Sequence, residues 1–324
     1  MQTKLKGKHF ITTQDWTVDE LETVLALAAE LKLAKATGRP HRLLEAKTLY
    51  MIFFDASTRT RNSFETGITQ LGGHGIYLSP DKMQISHGEN AKDTANVLSR
   101  YGEGIAIRHC AFGEGNAYLR EVASHASVPV LNMQCDVYHP CQILADLLTI
   151  REKHGVGRRL KLGVAWTSAP NYVRPISVPQ SLILLMPRFG IDVTLAYPPE
   201  FRLQPEIEDQ ARANAAAAGV DFTVTDRFEE AFEDADVVIP KSWGPLLHTS
   251  DHDEGIRLIG AYPSWRCDAE RMALGKRSLT YMHPLPADRG REVTDEVIDG
   301  PHSVVYDQAE NRLHVQKALM ALTM

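Results

Sequence analysis

The sequence predicts an α/β protein built from two doubly wound parallel-sheet domains bridged by helices. Short apolar runs alternate with helical patterns along the 324 residues, as parallel strands with crossover helices require. The unusual polar residues gather just after those runs, and the carboxyl ends of parallel strands are where an open sheet carries its ligand site. With 44% hydrophobic residues the chain buries a large core, and its length leaves room for two domains of about 150 residues each.

In chain order, Thr17 and Glu20 in "TVDE" form a capping box ahead of "LETVLALAAELKLAKATG", whose apolar positions recur at helical spacing until Gly38 stops the helix. The strand runs "TLYMIFF", "GIAIRHC" and "VPVLNMQC" follow in the first half, and "LKLGVAWT", "DVTLAYP", "DVVIPKSW" and "LTYMHPLP" in the second. Between the halves, "HPCQILADLLTIREKHGVG" predicts a helix from near Pro140 to Gly155, a natural bridge between two three-layer domains. Residues 1–150 then form the first domain and 151–324 the second, with a C-terminal helix over about 308–323 packing back on the first. "ARANAAAAG" reads as a strong helix former.

A formal net charge of -6 and a pI near 6.1 supply no general attraction to nucleic acid or to an anionic membrane, so any bound anion must be held locally. No apolar segment approaches the roughly 18 residues of a membrane helix, and "MQTKLKGKHFITTQDW" lacks the pattern of a secretory signal. The expectation is a cytoplasmic protein with neither nucleic acid nor membrane as partner. Cys110, Cys135, Cys141 and Cys267 are too few and scattered for a disulfide framework. Cys135, His139 and Cys141 lie close together but lack the second pair of a closed tetrahedral site, so buried thiols are the better reading and no metal or other cofactor is expected.

The polar clusters carry the chemistry. "DASTRTR" follows the first strand, "RHC" closes the second, "DVYHPCQ" follows the third, "TSAPNY" the fourth, "KSW" the sixth and "HPLPADR" the last. Six such clusters point to one cleft. A strand, a turn and a helix beginning within Ser57 to Thr60 make an anion site, because first-turn N–H groups, two hydroxyls and a guanidinium can all face a phosphate. The alternative is Ser57 as an N-cap beside two solvated arginines. His139, three residues after Asp136, stands with Gln142 at a strand-to-helix junction, either as a structural histidine or converging with Arg108 on a carbonyl oxygen. There is no G-x-x-x-x-G-K-[ST] loop and no G-x-G-x-x-G after a strand.

"STRTR" after a strand, "HPCQILADLLTI" opening the bridging helix and "HPLP" near the end together resemble the aspartate and ornithine carbamoyltransferase family, and the likeness extends over nearly the whole chain. It implies a carbamoyltransferase whose phosphate ligands are Ser57, Thr58, Arg59 and Thr60 and whose carbamoyl ligands are Arg108, His139 and Gln142, helped by Thr60 and the Leu285 backbone. Arg59, Thr60, Arg108 and His139 are then the catalytic group, with Asp136 and Arg289 as further substrate-binding candidates. "KMQISHGEN" looks like the segment through which ornithine enzymes reach a neighbouring subunit, so Gln84 and His87 imply a homotrimer with shared sites. The partners implied are carbamoyl phosphate and an amine acceptor.

The acceptor motifs depart from the best-known members. Ornithine enzymes carry D-x-x-x-S-M-G and H-C-L-P, where this chain has "PKSWGPL" and Pro284; aspartate enzymes follow H-P-L-P directly with arginine, where Ala287 and Asp288 intervene before Arg289. "KSW" and the proline-bearing loop after the fourth strand look like the knotted branch, which includes N-acetylornithine and N-succinylornithine carbamoyltransferases. That resemblance implies a trefoil knot through the loop 168–181, an acceptor-binding Lys241 and a nearby Trp243. The bland reading of "KSW" is a surface lysine beside a packed tryptophan. An ordinary ornithine enzyme and a non-catalytic carbamoyl-phosphate-binding relative are the alternatives.

Overall fold

Parallel pairing organises both halves of the chain. The computed structural model describes residues 4–169 and 174–324. The loop expected to thread a knot contains residues 170–173, which lie outside the described residues. The chain divides into two compact units, Met1–Leu148 with Glu310–Met324, and Thr149–Ala309.

In the first unit, helix α1 (Val18–Ala36) starts at a capping box in which the Thr17 side chain accepts from Glu20 N and Glu20 returns the bond to Thr17 N. The strands are β1 (Thr48–Phe53), β2 (His74–Leu78), β3 (Gly104–His109) and β4 (Val130–Cys135). They pair in the order β2-β1-β3-β4, all parallel. Helices α2 (Arg59–Gln70), α3 (Ala91–Tyr101) and α4 (Gly115–His125) make the crossovers. β2 was not anticipated because "HGIYL" is short and faces solvent along much of its length, which removes the apolar run by which buried strands announce themselves. Between β3 and β4 the register shifts at Ile107/Arg108, and such an irregularity re-aims the side chains beyond it.

Helix α5 (Pro140–His154) begins in the first unit and ends in the second. The second unit carries β5 (Leu160–Trp166), α6 (Ser177–Leu185), β6 (Ile191–Ala196), α7 (Pro205–Ala218), β7 (Phe222–Thr225) and β8 (Val237–Lys241). After these come α8 (His252–Gly260), α9 (Ala269–Met272), β9 (Thr280–Tyr281) and α10 (Asp295–Ile298). The sheet order is β7-β6-β5-β8-β9, again all parallel. β9 is far shorter than the apolar run "LTYMHPLP" suggests, because Pro284 and Pro286 offer no N–H to a ladder. Helix α11 (Val305–Thr323) closes the chain, and its residues from Glu310 onward belong to the first unit, where Lys32 Nζ donates to Asn311 Oδ1 at 2.8 Å and Lys317 Nζ to Gln70 Oε1 at 3.0 Å.

The middle of β5 must be glycine. A Cβ on Gly163 would run into the Ala231 carbonyl oxygen of the turn packed over the sheet, and that atom is backbone that cannot rotate away. Gly163→Ala is therefore expected to destabilise the protein by roughly 3 kcal/mol, the upper end of the usual overpacking range. A fall in the urea unfolding midpoint at unchanged m-value checks this.

Candidate functional site

Each unit gathers polar groups at the carboxyl ends of its strands. In the first, β1 ends at Phe53, and Asp55 just beyond it accepts from Cys110 N at 2.7 Å, tying the exit of β1 to the exit of β3. α2 then starts with Thr58 as its N-cap residue in helical conformation and making no side-chain cap hydrogen bond. First-turn N–H groups left without an internal cap suit an anion. The two arginines of this turn divide the labour. Arg61 stacks its guanidinium 3.8 Å from the Tyr77 ring centre and pairs with Glu65, so it is structural; Arg59 belongs to the cluster described next.

That cluster centres on Arg312 of α11, which is buried and donates from Nη2 to the Thr60 hydroxyl. Burial first, and then the charges of Arg108 and Arg59, push the Arg312 guanidinium down to about 10, with Cys141 and Asp146 acting the other way. It stays charged at neutral pH. Three guanidinium groups thus share one region with a buried hydroxyl. Arg108, last but one in β3, donates from Nη1 to Gln134 Oε1, while the Nε–H groups of Arg108 and Arg312 are buried with no hydrogen-bond partner. On α5, Gln142 is fully buried, donates to Asp146 Oδ1 at 2.8 Å and keeps its own Oε1 unpartnered. His139 is buried immediately before α5 and accepts at its carbonyl from Ile143 N at 3.3 Å. Buried polar atoms without partners are rare enough to need a reason, and a bound ligand is one.

Other candidates fall elsewhere. Ser57 is half-buried and Thr58 exposed at the mouth of this turn. The Asp136 carboxylate accepts from Gly113 N at 2.9 Å and Asn116 N at 2.7 Å, which fixes the loop entering α4. Gln84 and His87 lie on the surface and hydrogen-bond to each other at 3.2 Å.

The second unit builds a different cluster. Lys241 is the last residue of β8, in register with Trp166, and donates to the Ser242 carbonyl at 2.8 Å. Burial first, and then the Arg174 charge, bring it down to about 7, with Glu292 and Asp288 opposing the shift. Glu292 is wholly buried: Oε1 accepts from Ser242 N at 2.6 Å and stands 3.4 Å from both His283 Nε2 and Thr167 Oγ1, while Oε2 accepts from Arg174 Nη1 and Asp288 N, each at 2.7 Å. Burial works to raise its carboxyl, yet His283, Arg174 and Lys241 hold it well below the usual carboxylate range. Because Leu285 N donates to His283 Nδ1 at 2.9 Å, the neutral ring carries its proton on Nε2 and donates it to Glu292. Burial keeps His283 below its ordinary value, consistent with that neutral form. Leu285 itself has φ 55° and precedes a cis proline.

Two further candidates of this half have partners within the protein. Trp243 is fully enclosed, its indole N–H donating to Phe201 O at 2.7 Å, which makes it part of the packed aromatic core. Arg289 is exposed and spends its guanidinium on Asp295 and Asp299. Sequence reasoning missed Arg312, Arg174 and Glu292. Only the first left a signal, a cation inside a helix with no continuous polar face.

Comparison with known proteins decides the family. The family model described as aspartate/ornithine carbamoyltransferase, carbamoyl-P binding domain, matches residues 8–152, and its Asp/Orn binding domain counterpart matches residues 175–323. The chain belongs to the aspartate/ornithine carbamoyltransferase family. This carbamoyltransferase is 42% identical to the ornithine carbamoyltransferase of Halalkalibacterium halodurans over 318 residues, 98% of this chain and 95% of the relative. It is likewise 42% identical to that of Thermococcus kodakarensis, over 100% of this chain and 98% of the relative. The solved ornithine carbamoyltransferase from Pyrococcus furiosus superposes with a TM-score of 0.90 at 38% identity, covering 100% of this chain and 99% of that one. An acetylornithine transcarbamylase complexed with acetylcitrulline superposes with a TM-score of 0.89 at 35% identity, covering 97% of this chain and 98% of that one. No described helix of the carbamoyltransferase is long and apolar enough to cross a membrane.

Lys241 links this cluster to pH. Its value falls from 10.5 to about 7 on folding, so between those limits the unfolded chain holds more protons and stability contributed by this group rises with pH. Urea midpoints measured side by side at increasing pH should show the wild type gaining on Lys241→Met across that window.

Proposed function

We propose that this carbamoyltransferase moves the carbamoyl group of carbamoyl phosphate to the amine of an amino-acid-like acceptor that carries an anionic or amide group. The observation that carries the donor half is the buried guanidinium of Arg312 on the Thr60 hydroxyl, with the half-buried Arg59 and Arg108 close enough to act on its charge. Positive charge gathered from three side chains beside an uncapped helix start is what a doubly charged acyl phosphate needs. In this reading Ser57, Thr58, Arg59 and Thr60 hold the phosphate, and Arg312 joins them. Arg108 and His139 donate to the carbamoyl oxygen, and the unpartnered Gln142 Oε1 accepts from its amide.

The reaction is direct acyl transfer. The neutral amine attacks the carbamoyl carbon, forming the new C–N bond; donors at Thr60, Arg108 and His139 stabilise the oxyanion; the bond between the carbamoyl carbon and the bridging phosphate oxygen breaks, and the leaving phosphate takes the amine's proton. Orientation and electrostatics can jointly supply on the order of 10 kcal/mol. Arg59→Ala should abolish turnover with the circular dichroism unchanged, because each charge-assisted bond it makes is worth roughly 1.5 to 3 kcal/mol. Wild-type affinity for carbamoyl phosphate in that variant refutes the donor assignment.

The acceptor half rests on Lys241. A lysine at this strand end repels the free α-ammonium of ornithine and attracts a carboxylate or amide oxygen, and a site built to pair polar groups discriminates against substrates that leave them unpaired. Lys241→Met should raise the acceptor KM far more than that of carbamoyl phosphate, and ornithine and aspartate should be poor acceptors in a phosphate-release assay over a panel of amines. The second reading is an ordinary ornithine enzyme, favoured by the ornithine carbamoyltransferases at 42% identity. Efficient carbamoylation of ornithine, indifferent to Lys241→Met, selects it.

Gln84 and His87 sit on a surface turn with no cluster of their own, and the reading gives them to a neighbour's site in a homotrimer. Sedimentation should find three chains per particle, and full activity of a dilute monomer excludes the sharing.

A further inference from the structure

Glu292 lies outside the donor chemistry, yet three separate stretches of the second unit converge on it. Oε1 takes the Ser242 N–H at the end of β8; Oε2 takes Arg174 from the segment before α6 and the Asp288 N–H from the turn after β9. Arg174 is itself forked, its other nitrogen reaching Asp288 at 2.6 Å. Arg174 O in turn accepts from Gly244 N at 2.9 Å, which closes the ring back onto the "KSWG" stretch. Both oxygens of Glu292 are therefore filled, and each holds a segment that borders Lys241.

We propose that Glu292 is the positioning residue of the acceptor half-site: its carboxylate fixes the Lys241–Ser242 strand end against the Arg174 and Asp288 segments, and so sets where Lys241 meets an anionic acceptor. This deepens the reading of Lys241 as the acceptor's ligand and rests on it. The argument is geometric. A carboxylate has two equivalent acceptor oxygens, and here every approaching atom is a donor. A glutamine of the same shape has one acceptor oxygen and would turn an NH2 towards donors already in place. It must release either Ser242 or the Arg174 and Asp288 pair. The charged groups acting on Lys241 are Arg174, Glu292 and Asp288, and the titratable but neutral His283 stands beside them. Asp288 is committed to Arg174 and partly exposed, so Glu292 is the fully enclosed anion of the set.

The test uses full-length protein carrying lysine labelled at the ε carbon, with the Lys241 resonance assigned by its loss in Lys241→Met. In Glu292→Gln its titration midpoint should move to lower pH, because a buried negative charge that acts to raise it is gone. The acceptor KM should rise about tenfold or more, as for removal of one member of a coupled network, and the KM of carbamoyl phosphate should stay within about twofold. A purely supporting role would lower stability without moving the Lys241 midpoint, and that result overturns the proposal. A shifted midpoint with an unchanged acceptor KM, in an enzyme that still releases phosphate with its acceptor, overturns the positioning role and the reading of Lys241 together. If the glutamine variant does not fold, Glu292→Asp keeps the charge but falls one methylene short: a raised acceptor KM with a near-normal Lys241 midpoint supports the proposal, and a wild-type KM defeats it.

Discussion

The placement of Arg312 beside Arg59 and Arg108 is the constraint around which the first unit is arranged. A guanidinium cannot shed its proton at neutral pH, so crowding three of them leaves charge that burial makes expensive. Asp146 and Cys141 offset only part of it, and Cys141 is a thiol that burial pushes up to about 12. The Thr60 hydroxyl accepts from one arginine and Gln134 from another, which orients the donors without neutralising them. An anion completes such an arrangement. The C-terminal turns of α11 must belong to this unit for Arg312 to arrive, although it lies 252 residues along the chain from Thr60.

The second unit solves the opposite problem. Its Arg174 is met within the protein by Asp288 and Glu292, Lys241 donates to the Ser242 carbonyl, and the neutral His283 adds a donor without adding charge. The first cluster therefore gathers like charges around one hydroxyl, and the second sets cation against anion. A balanced cluster discriminates by geometry and hydrogen bonding, and an unbalanced one by charge.

Much of the architecture was legible because hydrophobic periodicity is local. The capping box at Thr17 and Glu20, the buried runs of β1, β3, β4, β5, β6 and β8, and the helix opening at Pro140 all follow from neighbours within a few residues. β2 and β7 escaped because half-exposed strands of five and four residues carry no continuous apolar run. The turn "STRTR" announced an anion site by its position after a strand, but nothing in it says that Arg59 faces the cluster while Arg61 lies on Tyr77. That choice is made by the helical phase of α2 and by a ring on another strand.

By itself, then, the amino-acid sequence determined the two parallel α/β units, the strand ends at which chemistry is presented and, by its motifs, the family. Only the tertiary structure decided which charged groups meet. Arg312 reaches Thr60 across 252 residues, Arg174 reaches Glu292 across 118, and Trp243 turns into the core instead of towards a ligand. Secondary structure is written in spacings of two to four residues, which a chain displays directly. Electrostatic partnership depends on distance in space, and folding brings residues together with no regard to their separation in sequence.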